Sequence, residues 1–184
     1  EVLLRVVREG DDALLDTDSG WGEALMKVLS RYKIRTAVEL SLESLGDMPS
    51  EQSELQRIQN GTPRMGFDLD SGVIPQEAAL EVESVSFTKG CFVGQELVCR
   101  IDSRGHVNRH LRLITNSSGV TLGQGESLLQ DGKVVGEITS SAPGFALGYV
   151  RREVEIGSTL EVSGTVAGTV SRTLVNVLER PVAT

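Results

Sequence analysis

The most constraining feature of the sequence is a run of short apolar segments, separated by glycine-containing turns, that occupies residues 109–184. One of these turns is Asp131-Gly132, and this dipeptide readily takes the positive φ angles of a type I′ hairpin turn. Short apolar segments with such turns are typical of antiparallel strands in barrels and sandwiches. The pattern therefore predicts about four to six strands in a small antiparallel β-barrel or sandwich.

The first 108 residues predict a mixture of strands and helices. Residues 2–7 and 13–15 are apolar and flank the turn-forming stretch REGDD, which predicts a β-hairpin. Residues 36–42 alternate apolar and polar side chains, as in a strand with one face in water. Between them, residues 21–32 carry apolar side chains at helical spacing. This order of elements indicates an α+β region over residues 1–108.

The helix in this region has a predicted start and a predicted buried face. Asp18 or Ser19 could cap its N-terminus, because both side chains accept hydrogen bonds from free backbone N–H groups. We expect a helix of about 14 residues. Trp21 and Tyr32 lie on its apolar stripe, and we expect both in the core.

The stretch that follows is predicted to be mostly irregular. Residues 46–54 are polar and patternless, which predicts a loop, a linker, or the position of a segment absent from this sequence. Residues 54–60 predict a short helix, ended by Gly61 and Pro63. Residues 61–80 contain several glycines and prolines and predict a loop.

The charge balance and the short apolar runs argue against two classes of protein. The net charge of −8 and the pI of about 4.8 argue against a dedicated nucleic-acid binder, which is usually basic. No apolar run approaches the roughly 20 residues that cross a bilayer, so we expect no membrane association. Hydrophobic residues make up 39% of the chain, which is ordinary for a globular protein.

The two cysteines, Cys91 and Cys99, predict free thiols. They have neither CxxC nor zinc-finger spacing. If both lie on one helix, roughly 12 Å separates them along its axis, whereas a disulfide needs Cα atoms within about 7 Å. We therefore expect a reducing, cytoplasmic location.

The stretch KGCFVGQE, residues 89–96, carries the strongest chemical signal. Gly90 and Gly94 permit positive φ or close backbone approach. The residues after Gly94 are helix formers, so Cys91 is predicted near a helix N-terminus, where the helix dipole and Lys89 favour the thiolate. The alternative is a half-buried cysteine at a turn. Cys99, in the run VCRI, is predicted to lie in the core.

The same stretch resembles the K-G-C-[FY]-x-G-Q-E signature of the YgfZ family of folate-binding proteins, relatives of the glycine-cleavage T-protein, an aminomethyltransferase. The matching residues are Lys89, Gly90, Cys91, Phe92, Gly94, Gln95 and Glu96. Segments around Arg57-Ile58, Pro75-Gln76-Glu77-Ala78 and Ala146-Leu147-Gly148-Tyr149 resemble further family blocks in the same order.

The resemblance implies a fold and a function. The fold is α+β: a T-protein-like folate-binding region over residues 1–108, whose N-terminal part we expect to lie outside this chain, and a C-terminal antiparallel β-barrel over residues 109–184. The function is tetrahydrofolate binding with support of iron–sulfur cluster assembly or repair and, through it, tRNA modification. The implied partners are folate and iron–sulfur proteins or their assembly factors.

The resemblance also implies site residues. Cys91 is the candidate reactive thiol. The candidate folate-binding residues are Arg57, Gln59, Arg64, Glu77, Arg100 and Arg104. In the T-protein, the position of Gln59 is a glutamate that helps to bind folate, and the catalytic aspartate comes from the missing N-terminal part. Aminomethyl transfer is therefore not implied by the residues present.

A basic window surrounds the motif. Residues 89–112 contain five Lys or Arg and two acidic residues, a net charge of +3 in an acidic chain. Such an island suits an anionic ligand, for example the glutamate tail of folate or a short stretch of RNA, or it is a solvated surface. His106 and His110 also lie here, but with no third ligand nearby we predict no metal site.

Two other functions remain open at this point. A folate-dependent aminomethyl or one-carbon transferase would need an acidic residue facing the one-carbon unit. A non-catalytic interaction module, whose barrel docks a partner, would bind no folate.

Overall fold

The computed structural model describes residues 4–43, 51–166 and 169–181 of the 184-residue chain. The chain forms two compact units that divide between Pro49 and Ser50. Residues 51–108 thus belong to the same unit as the barrel, and the domain division after residue 108 stays a prediction. No helix in the described ranges has the length and apolar character required to cross a bilayer.

The first unit contains the predicted hairpin and helix. Strands β1 (Leu4–Glu9) and β2 (Asp12–Thr17) pair antiparallel, which confirms the hairpin. Helix α1 (Gly22–Tyr32) has 11 residues instead of about 14. Trp21 is its N-cap residue and no side chain caps it, so the predicted capping by Asp18 or Ser19 is wrong.

Two further predictions for this unit are wrong. Residues 36–42 contain no strand, because an alternating pattern forms one only where a sheet edge is available to pair with it. Tyr32 is 70% exposed and Trp21 is partly exposed, whereas Leu25 is the buried residue of α1. Ala24 and Val28, in the middle of the predicted stripe, are exposed as well, so the apolar face of α1 is only partly packed among the described residues.

The second unit begins with three helices, α2 (Glu51–Gln59), α3 (Glu81–Ser84) and α4 (Gln95–Arg104). Helix α2 confirms the predicted short helix but starts earlier than residue 54. The loop predicted at 46–54 is therefore wrong for residues 51–54. Residues 46–50 lie outside the described ranges. Residues 61–80 form turns and irregular backbone with one isolated bridge, as predicted.

A closed six-stranded antiparallel barrel completes this unit, as predicted for the C-terminal region. Its strand order is β3-β6-β5-β4-β7-β8, and β8 pairs with β3 to close it. The strands are β3 (Arg109–Thr115), β4 (Ser127–Gln130), β5 (Lys133–Ala142), β6 (Phe145–Arg151), β7 (Thr159–Val166) and β8 (Thr169–Leu178).

The sequence explains one tight turn of the barrel and the packing of its interior. Asp131 and Gly132 have φ of 51° and 75°, the left-handed conformation predicted for the turn between β4 and β5. Inward side chains form one apolar cluster that includes Ile114, Leu128 and Val175. Closure also removes the free sheet edges that an open sheet of this size would expose.

A β-bulge in β5 connects the barrel to the loop of residues 61–80. The register shifts between Ile138 and Ser140, so Thr139 is the extra residue. Its hydroxyl donates to the carboxylate of Asp68, whose side chain is fully buried. The carboxylate also accepts hydrogen bonds from Nη1 of Arg57, at 2.9 Å, and from the backbone N–H of Arg64, at 3.0 Å.

We predict that Gly148→Ala destabilises the barrel by about 1–3 kcal/mol, because a Cβ there overpacks a close strand pair. It would lie 2.6 Å from the carbonyl oxygen of Glu137 and 3.0 Å from Cδ1 of Ile114. Urea unfolding measures the change. Gly90→Ala is the matched control, since no atom lies within 4 Å of its added Cβ; an equal loss in both variants would contradict the packing argument.

We predict that Asp68→Asn lowers the free energy of unfolding by about 2–4 kcal/mol, because an amide places a donor where three donors already point. The control is Asp70→Asn: Asp70 is exposed and accepts one hydrogen bond from the N–H of Gly72. Thermal unfolding of both variants measures the difference. A loss for Asp68→Asn no larger than for Asp70→Asn would show that the buried carboxylate does not anchor the loop.

Candidate functional site

Two candidate folate-binding residues, Arg57 and Arg64, meet on the carboxylate of Glu54. Arg57 donates to it from Nε at 2.9 Å and from Nη2 at 2.7 Å, and Arg64 donates from Nη1 at 3.1 Å. The hydrogen bond from Arg57 lowers the pKa of Glu54. Burial lowers the pKa of Arg57, but the bond to Glu54 and the charge of Asp68 outweigh it and raise that pKa. Both shifts favour the charged forms, so Glu54 and Arg57 stay charged near neutral pH.

A cleft of about 180 Å³ lies beside this cluster, between α2 with the following loop and the barrel. Arg64 stacks on the ring of Phe67, with 3.9 Å between the guanidinium carbon and the ring centroid. Nε of Arg64 is buried and has no hydrogen-bond partner among the described residues. The residues that line the cleft are Glu54, Arg64, Phe67, Thr121, Leu122, Gln124, Thr139, Ser140 and Ser141.

A third candidate, Glu77, forms an ion pair with Arg109 at the start of β3. Its two carboxylate oxygens accept from Nε and Nη2 of Arg109, both at 3.2 Å. The guanidinium of Arg109 lies over the ring of Tyr149, 4.4 Å from its centroid. The hydrogen bond to Glu77 raises the pKa of Arg109, and burial raises the pKa of Tyr149. Tyr149 therefore stays a neutral hydroxyl and donates to the carbonyl oxygen of Asp68 at 2.9 Å.

The KGCFVGQE stretch forms a loop that ends at α4. Gly94 has φ of 84° and is the N-cap residue of that helix, which explains the second glycine of the motif. Oε1 of Gln95 accepts from the N–H of Phe92 at 3.1 Å, and the N–H of Gln95 donates to the carbonyl of Phe92 at 3.2 Å. Nζ of Lys89 lies 5.4 Å from the centroid of the Phe92 ring. The reciprocal hydrogen bonds fix the backbone just after Cys91.

Both thiols are free and exposed. Cys91 precedes the helix, so the prediction that it lies near a helix N-terminus agrees with its position. The prediction that Cys99 lies in the core is wrong: α4 buries Val98, and the adjacent Cys99 points away from that side. Gly90 differs from Gly94, because it has no positive φ and no atom lies within 4 Å of an added Cβ.

The remaining candidate residues differ in exposure. Gln59 and Arg100 are exposed, and the side chain of Arg104 lies outside the described part of the chain. Their folate-binding role stays a prediction, as does that of Arg57, Arg64 and Glu77. Among the described residues, no group of three His, Cys, Asp or Glu side chains is placed to hold a metal ion.

The structure joins three of the candidate residues, Arg57, Arg64 and Glu77, through three residues to which the sequence analysis gave no individual role. Asp68, Arg109 and Tyr149 link Glu77 to the Arg57–Glu54–Arg64 cluster by hydrogen bonds and a cation–π contact. Asp68 lies in the family-like segment that starts at Arg57 and extends to Asp70, Tyr149 lies in the segment Ala146–Tyr149, and Arg109 lies in the basic window. Their positions in those segments were the available signal, but their mutual contacts depend on barrel closure.

Comparison with known proteins agrees with this architecture. Residues 109–174 match the family model of the CAF17 C-terminal beta-barrel domain. The tRNA-modifying protein YgfZ of Yersinia enterocolitica is 30% identical over 67% of this chain and 37% of its own length. The mitochondrial iron–sulfur cluster assembly factor IBA57 of Mus musculus is 31% identical over 59% of this chain and 32% of its own length.

One further relative and one solved structure of similar fold carry transferase names. The putative chloroplastic transferase At1g60990 of Arabidopsis thaliana is 32% identical over 67% of this chain and 30% of its own length. The crystal structure of glycine cleavage system aminomethyltransferase T from Bartonella henselae matches with a TM-score of 0.57 and 22% identity, over 68% of this chain and 36% of that one. This chain spans about a third of the length of these proteins.

The match to the family model falls on the barrel of the unit that carries the candidate site. Residues 109–174 thus match a CAF17-type C-terminal β-barrel domain, the chain is similar in sequence to YgfZ and IBA57 proteins, and it shares the fold of the aminomethyltransferase of glycine cleavage.

Proposed function

We propose that this chain is part of a tetrahydrofolate-binding, YgfZ-like protein that supports iron–sulfur cluster assembly or repair and, through cluster-dependent enzymes, tRNA modification. The observation that carries the proposal is the similarity to proteins named for tRNA modification and for iron–sulfur cluster assembly, each over more than half of this chain. One protein could have both effects if the enzymes that modify tRNA depend on iron–sulfur clusters. Direct binding of nucleic acid is not needed.

The cleft beside Arg64 fits part of a folate molecule. Its volume of about 180 Å³ is below the roughly 300 Å³ of a complete ligand pocket, so it takes one ring or one arm of the ligand. The flat Arg64–Phe67 pair offers a stacking surface. The buried Nε of Arg64 is a donor that an oxygen of the ligand could satisfy.

Charge at the surface supports an anionic arm of the ligand. Arg57, Arg64 and Arg109 each hold a carboxylate of this chain, whereas Arg100 is an exposed cation on α4. A glutamate tail carries carboxylates that such a cation binds. Bound folate would supply a one-carbon carrier; the residues of this chain would bind and orient it.

Cys91 is proposed as the reactive group. The exposed sulfur of Cys91 is a soft ligand for iron of a cluster intermediate and a nucleophile for a one-carbon adduct. The backbone bonds between Phe92 and Gln95 hold this loop in place beside α4. Two exposed free thiols also support the reducing, cytoplasmic location that the sequence predicts.

The transferase names of one relative and one solved structure favour a second candidate, a folate-dependent one-carbon transferase. Asp68 and Glu77 do not support it as general bases, because hydrogen bonds within the protein already occupy their carboxylates. Turnover with a one-carbon donor would favour this candidate over the first.

We predict that the full-length protein binds tetrahydrofolate and that Arg100→Ala raises the Kd about tenfold by removing one charge-assisted contact. Isothermal calorimetry measures both. Arg152→Ala is the matched control, since Arg152 is also an exposed arginine but follows β6 on the barrel. Arg57→Ala is less informative, because it also breaks the buried pair with Asp68. If no saturable binding is seen at millimolar ligand, the folate mechanism is excluded and the interaction module becomes the favoured function.

We predict that Cys91→Ala abolishes support of a cluster-dependent enzyme, because no thiol remains at the motif. The measurement is the activity of that enzyme, with the level of a cluster-dependent tRNA modification, in cells whose own copy is deleted and replaced by the variant. Cys99→Ala is the matched control, as an exposed cysteine eight positions away, and should retain full support. If the Cys91→Ala variant supports the cluster-dependent enzyme fully, this thiol has no role in that function.

A further inference from the structure

A buried arginine fastens the end of the chain to the loop of residues 61–80. Arg180 follows β8, and its side chain is only 3% exposed. Its Nη1 donates to the carbonyl of Gly61 at 2.7 Å, and its Nη2 donates to the carbonyl of Ala79 at 2.6 Å. Nη2 also lies 3.3 Å from Oε1 of Glu83. One guanidinium therefore holds both ends of the loop.

The far end of the loop is held in an unfavourable conformation. Ala79 has φ of 52°, in the left-handed region that residues with a Cβ rarely adopt. Its carbonyl is one of the two that accept from Arg180. Such a conformation persists only where surrounding contacts enforce it, and the bond from Arg180 is a contact of that kind.

The near end of the loop is shaped to receive the same side chain. Gly61 has φ of 67°, and a Cβ there would lie 2.6 Å from Cγ of Arg180 and 2.8 Å from Cδ of Pro181. Only glycine accepts both the backbone conformation and the close approach. The arginine stem thus packs directly on the backbone where α2 gives way to the loop.

The turn that Arg180 holds also sets the position of two parts of the candidate site. The carbonyl of Glu77 accepts from the N–H of Leu111 in β3 at 2.7 Å, while its carboxylate binds Arg109. Nε2 of Gln76 donates to the carbonyl of Val98 in α4, the helix that follows the Cys91 loop, at 3.0 Å. A shift at Ala79 would move both bonds.

We propose that Arg180 is a positioning residue: it fixes the turn at residues 75–79, and so sets the Glu77–Arg109 pair and the attachment of α4, without touching the ligand. The inference deepens the proposed function, on which its effect on folate rests. Its effect on the turn does not depend on folate.

The test is amide hydrogen exchange in the full-length protein with Arg180→Met, Arg180→Lys, Ala79→Gly and the double variant Arg180→Met with Ala79→Gly. The Leu111 amide reports the turn, and the Val177 amide, bonded to the carbonyl of Ser158, reports the barrel. We expect Arg180→Met to speed exchange at Leu111 about tenfold while Val177 keeps its rate. Arg180→Lys should give a smaller change, since an amine can still reach one carbonyl.

Rescue separates positioning from general packing. Because glycine takes positive φ at little cost, Ala79→Gly in the Arg180→Met background should return the Leu111 rate to within about threefold of the wild type. If the faster exchange came instead from a cavity left by the Arg180 side chain, a glycine at position 79 would not reverse it. Arg151→Met is the matched control, since Arg151 is an exposed barrel arginine and should change neither amide.

The folate readout uses the same variants. Arg180→Met should raise the Kd for tetrahydrofolate, and Ala79→Gly should restore it, in parallel with exchange at Leu111. If the wild type binds no folate, the proposed function fails, while the exchange result still decides the role of Arg180. Unchanged exchange at Leu111, equal acceleration at Leu111 and Val177, or no rescue by Ala79→Gly would each overturn the proposal.

Discussion

The fully buried carboxylate of Asp68 is the interaction on which the second unit depends. It sits between α2, the loop of residues 61–80 and the barrel, and it accepts hydrogen bonds from all three: from Arg57, from the N–H of Arg64 and from Thr139. Burying a charge is costly unless its partners are complete. Here they are complete only when the helix, the loop and the barrel adopt one arrangement. Any other arrangement would leave a buried charge without partners, so the carboxylate ties the helix, the loop and the barrel to this one.

From this anchor, a chain of polar contacts runs along one side of the barrel. It passes from Glu54 and the two arginines through Asp68 and Tyr149 to Arg109 and Glu77. Positive and negative groups alternate along it, so most of the charge is internally balanced. An incoming ligand would meet oriented dipoles, a stacking surface and a few exposed cations. Such a site discriminates by shape and by the placement of donors.

The sequence predicted the barrel well because its strands are marked by local signals. The Asp131-Gly132 turn and the short apolar segments need no knowledge of the rest of the chain. Helix α2 and the turn before α4 were marked by Gly61 and Gly94 in the same way. The strand predicted at residues 36–42 is absent, and Cys99 and Tyr32 are exposed instead of buried. Strand pairing and side-chain burial both depend on which neighbours are present. The anchor could not be predicted either, since Asp68 meets Thr139 across 71 positions: the bulge that exposes this hydroxyl exists only in the paired sheet.

The placement of Arg180 beyond the last strand has a consequence for how this protein is handled. A shortened chain that stops at Leu178 would keep every strand of the barrel. It would nevertheless lose the residue that closes the loop more than a hundred positions earlier. A bulky fusion joined directly after Pro181 would press on the same contact with Gly61. Protein prepared for ligand screening therefore needs residues 179–181 in place, with a spacer before any fused partner.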